Sequence, residues 1–425
     1  MDIAALYQLF KKYPSVQTDT RNIKENDIFF ALKGPNFNGN KFAKQALRLG
    51  AAYCVCDEVD AVTDTKIIQV NDVLSCLQAL AKYHREQFNI PFVAITGSNG
   101  KTTTKELLHA VLSSKFVCYT TKGNLNNHIG VPLTLLSIQK DAEIAVIEMG
   151  ANHQKEIEAY CKYTLPTHGI INNCGKAHLE GFGGEDGVKK GKGELYQFIK
   201  ANNGTIFINT DYDYLVQMSQ GIANQISYGT QQADVVGSIA YDAEYLHIYI
   251  TMGNSKHLIK TQLAGSYNLP NVLAAVCVGQ YFNIPIASII KAIEAYTPTN
   301  SRSQLIKKGT NTILLDAYNA NPSSMKAAIE NFAAMPGENK VVLLGGMMEL
   351  GHLSLAEHAA IVNLLAKYNW HKVVLTGTDY KNLPDHILHF ANANDTAAWY
   401  KNENLQHSTI LIKGSRGMAM EKILE

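Results

Sequence analysis

The chain carries almost no net charge, since 38 lysines and arginines against 37 aspartates and glutamates leave +1 over 425 residues. Long-range attraction to DNA, RNA or an anionic membrane needs an excess of one sign, so any anionic ligand must be met by a local site. Long apolar runs are missing too: no segment reaches the roughly 20 residues that span a bilayer. The opening MDIAALYQLFKKYP has an acid at its second position and breaks its apolar run with Gln8 and the Lys11-Lys12 pair. It reads as a short amphipathic helix, neither a signal peptide nor a membrane anchor, and a cytoplasmic location is expected. Cysteine is sparse and unpatterned. The seven cysteines, an odd number, lie mostly in apolar runs and read as buried hydrophobes in a reducing compartment. Cys54 and Cys56 alternate along AAYCVCDE with no histidine cluster at zinc-finger spacing, so a core strand is expected there and not a metal site. There is no internal repeat and no low-complexity stretch.

The length exceeds what one compact core holds, and three domains are expected, over 1–88, 89–298 and 299–425. The first alternates helix and strand through NDIFFALKG, KFAKQALRLG, AAYCVC and IIQV, and ends in a helix from Asp72 to Gln87. Pro91 before a new apolar run marks a joint. After it, FVAIT, FVCYT, AEIAVIEM and HGIINN alternate with helical stretches, which implies a mostly parallel sheet with helices on both faces and ligands at the carboxyl ends of its strands. VVGSIAY, LHIYITM and HLIKTQL alternate like exposed antiparallel strands, expected as a side sheet, before a helix beginning near Pro270. A second joint is expected between Tyr296 and Ser303. The last segment repeats the strand and helix alternation through TILLDAY, KVVLLGG, KVVLTG and STILIKG.

The most informative stretch is Phe92-Val-Ala-Ile-Thr-Gly-Ser-Asn-Gly-Lys-Thr-Thr103, a strand running into a glycine-lysine-threonine turn and then a helix. Gly97 and Gly100 allow a turn tight enough to aim backbone N–H groups at a polyphosphate, the helix start adds its positive dipole end, and Lys101 adds a full charge. Thr102 offers a hydroxyl to magnesium. Ile95 stands where the common pattern has its first glycine, so this is a shortened form of the loop. The plainer alternative is a glycine-rich turn before an ordinary helix.

Three further positions suggest chemistry. Glu148 closes the strand AEIAVIE, where a carboxylate beside Thr102 would suit magnesium, although solvated glutamates also end strands. His178 lies in the glycine-rich run AHLEGFGG and is a candidate ligand for a second metal, or a loop residue that only hydrogen-bonds. In VKKGKGEL, Lys189 and Lys190 read as a solvated face, whereas Lys192 is a candidate for reaction with carbon dioxide to give a carbamate. A free lysine, with pKa ~10.4, seldom presents a neutral amine, so the site would have to favour that form.

Taken in order, TGSNGKTTTKE, NLNNHIGVPLTLL, IEMG, AHLEGFGG, KGELY, GSYNLPN and DAYNANPSSM resemble the motifs of the Mur ligases, ATP-dependent amide-forming enzymes of cell-wall synthesis. The resemblance covers nearly the whole chain. It implies an α/β fold of three domains: a central P-loop-type, mostly parallel sheet flanked by helices, a smaller α/β N-terminal domain and a Rossmann-like C-terminal domain. Thr18-Asp-Thr-Arg21 with FFALKG, the pair Asn126-Asn127, and Asn319-Ala-Asn321-Pro322 resemble the branch that adds D-alanyl-D-alanine to UDP-N-acetylmuramoyl-tripeptide. Relatives often have histidine where Asn319 stands.

The resemblance also implies site roles. Gly97, Ser98, Asn99, Gly100, Lys101, Thr102 and Thr103 would hold the ATP phosphates; Thr102 and Glu148 would bind one magnesium ion and His178 a second. Lys192 would be the carbamylated lysine, and Lys101, His178 and Lys192 the catalytic set. Asn268 and Asn271 would face the adenine, Arg302 would reach the terminal phosphates, and Asp316, Tyr318 and Asn319 would come to the ribose and adenine. Thr20, Arg21, Asn126 and Asn127 would contact the sugar-linked substrate. The implied partners are the two peptide substrates, with no nucleic acid and no membrane insertion, and a monomer is expected. The implied reaction is phosphorylation of a carboxylate by ATP followed by attack of an amine on the acyl phosphate. Other readings stay open: another Mur-type ligase such as a tripeptide synthase or folylpolyglutamate synthase, or a nucleotide-gated binding protein. The third residue of the peptide, diaminopimelate or lysine, is not legible. Arg416 is a candidate for the dipeptide pocket.

Overall fold

The structure, a computed structural model, describes residues 2–241, 244–252, 255–299 and 301–425. The expected joint between Tyr296 and Ser303 thus includes one position, residue 300, outside the described residues. By compactness the chain forms two units, one of residues 1–95, 116–151 and 155–169, the other of 96–115, 152–154 and 170–425.

In the first unit a small four-stranded parallel sheet is ordered Val16–Gln17, Ile28–Phe30, Tyr53–Cys56, Ile67–Gln69. Cys54 and Cys56 lie in its core with Phe29, Ala43, Ala46 and Ile67, as expected of a buried strand, and all seven cysteines are free thiols. The helix Val73–Arg85 starts where the Asp72 carboxylate accepts the Ser75 N–H at 2.7 Å, and Lys82, His84 and Arg85 complement the negative end of its dipole. Its buried face ends in a polar clamp. The Arg85 guanidinium lies 3.7 Å over the Phe92 ring and donates to the Thr164 and Leu165 carbonyls, both at 2.9 Å. Burial lowers this arginine to about 10. His84 reaches the Ile138 carbonyl at 2.9 Å and Tyr7 Oη at 3.1 Å. The joint at Pro91 is therefore braced by side chains from the preceding helix.

The largest sheet has nine strands, ordered Ser255–Lys260, His247–Met252, Val235–Tyr241, Asn224–Gly229, Thr205–Asn209, His168–Ile171, Phe92–Thr96, Ile144–Glu148, Cys118–Thr120. Phe92–Thr96 pairs in parallel with Ile144–Glu148, Ile95 opposite Glu148. Both strands are wholly buried, which is why they read as continuous apolar runs instead of alternating. The three strands expected to form a side sheet instead extend this one. Val235–Tyr241 pairs in parallel with Asn224–Gly229, and the next two strands continue antiparallel to the edge. Helix Leu269–Tyr281, with Pro270 in its first turn, buries ten residues.

The second unit also holds a six-stranded sheet, ordered Gln304–Lys308, Asn311–Asp316, Thr409–Lys413, Val341–Gly345, Lys372–Thr376, Ile387–Phe390. All its pairings are parallel except the edge hairpin of Gln304–Lys308 with Asn311–Asp316. Its two middle strands, Thr409–Lys413 and Val341–Gly345, are fully buried, and Ile313, Leu343, Val374 and Ile412 lie in the core, so the loops at the strands' carboxyl ends, including DAYNANP and GGMMELG, stand on a rigid platform.

Candidate active site

The glycine turn leads straight into helix Lys101–Leu112. Gly97 has φ 147° and Gly100 φ 80°, values that side-chain-bearing residues avoid. At Gly100 there is a second reason for glycine: a Cβ would stand 2.5 Å from Asn271 Oδ1 and 3.0 Å from Asn172 Nδ2. The loop is fastened from below. Ser98 Oγ donates to the Gly175 carbonyl at 2.8 Å, the Asn99 N–H donates to Asn173 Oδ1 at 3.0 Å, and Asn173 Nδ2 returns a bond to the Asn99 carbonyl at 3.2 Å. The Lys101 ammonium curls over the loop, 2.7 Å from the Gly97 carbonyl. Thr102 is buried in the first helical turn, followed by Thr103 and Thr104.

Asn268 and Asn271 are both buried, inside a polar network that continues from the loop. Asn271 Oδ1 accepts from Thr104 Oγ1 at 3.1 Å and Asn172 Nδ2 at 3.3 Å, and Asn271 Nδ2 donates to Asn268 Oδ1 at 2.9 Å. Asn268 Nδ2 donates to the Ala264 carbonyl at 2.8 Å and to Ser303 Oγ at 3.3 Å. Ser303 Oγ pairs with Tyr267 Oη at 2.9 Å, and the Ser303 N–H donates to Asp316 Oδ1 at 3.2 Å. Burial, with the Asp316 charge nearby, raises the Tyr267 hydroxyl far above its ordinary value. The other oxygen of Asp316 accepts from the buried ammonium of Lys413 at 2.5 Å, and Lys413 also donates to the Asn319 carbonyl at 3.2 Å. One chain of buried and partly buried hydrogen bonds thus runs from beneath Gly100 to the DAYNANP loop. Such networks specify geometry because breaking any link strands a polar group.

The same loop meets the phosphate turn directly. Asn321 Nδ2 donates to Asn99 Oδ1 at 2.7 Å and Asn99 Nδ2 to Asn321 Oδ1 at 3.4 Å, while Asn321 also caps helix Pro322–Ala334 through the Ser324 N–H at 2.9 Å. Beside it, the Lys176 N–H donates to Ser323 Oγ at 2.9 Å and its ammonium to Glu357 at 2.6 Å. Arg302 lays its guanidinium 3.6 Å over the Tyr318 ring, and Arg416 approaches the same ring at 5.3 Å. His178 Nδ1 stands 2.5 Å from Glu349 Oε2, close but off the line of an aligned hydrogen bond. The imidazole holds the Glu349 carboxyl below the usual range. Lys192 is buried on helix Glu185–Ala201 with its amine 4.9 Å over the Phe182 ring. Burial pushes the neighbouring Cys174 thiol up to about 12, partly offset by Lys192 and Lys189.

In the first unit Glu148 is buried at the end of its strand, and Asn126 Nδ2 donates to its Oε1 at 2.7 Å. Asn127 Oδ1 accepts from the N–H groups of Ile129 and Gly130 at 3.1 and 2.8 Å, starting helix Gly130–Leu136. Thr20 and Arg21 sit in a short turn capped by Asp19, with the Arg21 guanidinium exposed and forked onto that carboxylate. The arginine lowers Asp19 to about 2.

Comparison with known proteins places this architecture. Three family models match in succession: a Mur ligase family catalytic domain over residues 12–87, a Mur ligase middle domain over 95–279, and a Mur ligase glutamate ligase domain over 301–416. The chain belongs to the Mur ligase family. Among its relatives, UDP-N-acetylmuramoyl-tripeptide--D-alanyl-D-alanine ligase of Bacillus subtilis is 32% identical over 96% of this chain and 92% of its own length. The enzyme of the same name from Haemophilus influenzae is 33% identical over the same shares. Of solved structures, MurF from Acinetobacter baumannii superposes with a TM-score of 0.88 at 29% identity over 98% of this chain and 97% of its own. MurF ligase from Thermotoga maritima in complex with ADP gives 0.87 at 27% identity over 96% of each chain.

Several residues of this Mur ligase site escaped the reading of the sequence. Asn172, Thr104 and Ser303 are ordinary polar residues whose part comes only from the network they join. Lys413 carried a faint signal, a single charge closing the apolar strand TILIK, and the structure buries it against Asp316. Glu349 gave none.

Proposed function

We propose that this chain joins D-alanyl-D-alanine to the terminal carboxylate of UDP-N-acetylmuramoyl-tripeptide, consuming ATP through an acyl phosphate and releasing ADP and phosphate, in the synthesis of peptidoglycan precursors. The observation that carries this reading is its agreement, along nearly the full length of both chains, with relatives that bear that name. The division into 1–88 for the sugar-linked substrate, 89–298 for ATP and 299–425 for the incoming dipeptide belongs to the same proposal, as does a monomeric state. No described helix is long and apolar enough to cross a membrane.

An amide cannot form directly from a carboxylate, because the oxygen leaves poorly and its charge deactivates the carbonyl; phosphorylation removes both obstacles. The enzyme must then bring a carboxylate and a triphosphate together. The backbone of Gly97, Ser98, Asn99 and Gly100, with Lys101, Thr102 and Thr103, would receive the phosphates at the positive end of helix Lys101–Leu112. A full charge such as that of Lys101 at roughly 4 Å from a phosphate oxygen contributes about 4 kcal/mol at an effective dielectric near 20. Arg302 would meet the terminal phosphate from its place on Tyr318, and Asp316, Tyr318, Asn319, Asn268 and Asn271 would border the ribose and adenine. Thr20, Arg21, Asn126 and Asn127 would contact the sugar-linked substrate. The acyl phosphate must be kept from water, which the docking of DAYNANP on the phosphate turn favours.

The donor chemistry suits magnesium. Thr102 and Glu148 offer buried hard oxygens, and no cluster of three or more histidines, cysteines or acids stands among the described residues. Magnesium binds through few protein oxygens and takes its remaining ligands from phosphate and water. Thr102 and Glu148 would hold one ion and His178 a second; when bound, these ions neutralise charge on the transferring phosphoryl group. Lys192 is buried beside Phe182, and in this reading it would carry the carbamate, whose oxygens would orient the ligands around it.

Incubating the protein with ATP, magnesium, the UDP-linked tripeptide and D-alanyl-D-alanine, then weighing the product, tests the reading. ADP release is expected only when both the carboxylate and the amine are present; release with neither indicates a nucleotide-driven switch instead. Lys101→Ala should abolish turnover with the fold intact, and full activity in that variant removes the phosphate-loop assignment.

A further inference from the structure

We propose that Glu349 is the positioning residue of His178, a carboxylate that fixes the imidazole so that Nε2 faces a metal ion. The inference rests on the reading of His178 as a metal ligand and assigns the group that orients it. An imidazole that binds a metal through one nitrogen needs the other N–H held, usually by a carboxylate or carbonyl, to set its tautomer and plane. Glu349 Oε2 stands 2.5 Å from His178 Nδ1, the carboxylate oxygen nearest that otherwise unpartnered ring nitrogen.

The surrounding backbone supports a deliberate arrangement. His178 has φ 52° and Glu349 φ 62°, so both residues sit in the left-handed region, which histidine enters more readily than glutamate. The turns that carry them are fitted to each other: the Glu180 N–H donates to the Glu349 carbonyl at 3.4 Å, and a Cβ on Gly351 would lie 3.2 Å from Glu180 Cγ. Two steps before His178, Lys176 is held by Ser323 and Glu357. Ser323, Glu349 and Glu357 therefore fasten the loop that carries the histidine. Since Glu349 follows the strand Val341–Gly345 of the six-stranded sheet, the imidazole is set only while that sheet's loops are docked on the His178 turn. Readiness of the metal site is thereby tied to docking.

The test uses the full chain with Mn2+ as the probe, counting bound ions by electron paramagnetic resonance in the presence of ADP. Glu349→Ala should weaken the second ion about 10- to 100-fold while leaving the first unchanged. Glu349→Gln, whose amide oxygen still accepts an N–H, should lose less. Nitrogen-15 spectra of labelled histidine should show an Nδ1–H tautomer at position 178 that is lost in Glu349→Ala, a change that a merely structural role would not produce. Wild-type affinity for the second ion and an unchanged tautomer in Glu349→Ala, alongside loss of that ion in His178→Ala, would overturn the proposal. Retention of both ions in His178→Ala would instead refute the metal role of the histidine and remove the reason for its partner.

Discussion

Gly100→Ala offers the sharpest test of how the phosphate turn is held. The backbone there has φ 80°, so a side chain costs roughly 1–2 kcal/mol in the left-handed region. The new methyl group would also meet Asn271 Oδ1 at 2.5 Å. Asn271 has little room to yield, because that oxygen already accepts from Thr104 at 3.1 Å and Asn172 at 3.3 Å inside a buried network. Displacing it sacrifices two hydrogen bonds at about 1 kcal/mol each, for a total of roughly 3–4 kcal/mol. If the strain is relieved by distorting the turn, ADP affinity measured by calorimetry should fall roughly 100- to 1000-fold. The double variant separates the two terms. With Asn271→Ala the obstructing oxygen is gone, so adding Gly100→Ala should cost only the backbone term, giving a coupling of about 2 kcal/mol between neighbours. Wild-type ADP affinity in Gly100→Ala, or strict additivity in the cycle, would refute this account of the loop.

Lys192→Ala should be nearly inactive and partly restored by short carboxylic acids that replace the carbamate oxygens; normal activity without additive would dismiss the carbamate. His168, buried at the start of a central strand, is lowered by desolvation from 6.5 to about 4. The folded state therefore keeps it neutral while the unfolded chain takes up a proton below pH 6.5, so stability falls as pH drops from there toward 4. The loss amounts to about 3 kcal/mol at 1.36 kcal/mol per pKa unit. Denaturant titrations of His168→Gln should show a flatter acid limb than the wild type, and identical limbs would exclude this histidine as the cause.

Much of this site could be seen before the structure because its chemistry is local. Strand, glycines, lysine and helix follow one another within Phe92–Leu112, and a buried parallel strand declares itself as an unbroken apolar run. The docking contacts are different in kind. Asn99 and Asn321 lie 222 positions apart, and nothing in either neighbourhood says that their amides will pair. Glu349 was hidden for the same reason, since its left-handed backbone and its histidine partner are products of the fold. The strands Val235–Tyr241, His247–Met252 and Ser255–Lys260 did show their alternation, but alternation reveals one solvated face and not which sheet a strand joins. The edge strand Gln304–Lys308 passed unnoticed because its half-exposed QLIKK has neither a clean period nor a run.

The pairing of Asn99 with Asn321 has a consequence for how this enzyme tolerates its surroundings. Two neutral amides attract only at contact and in one orientation, so dissolved salt, which shields the nearby Lys176–Glu357 ion pair beyond a Debye length of about 8 Å at physiological strength, leaves them almost untouched. The charged contact draws the surfaces together from a distance. The amide contact decides the register in which they stop, and that register should stay the same in dilute buffer and in brine.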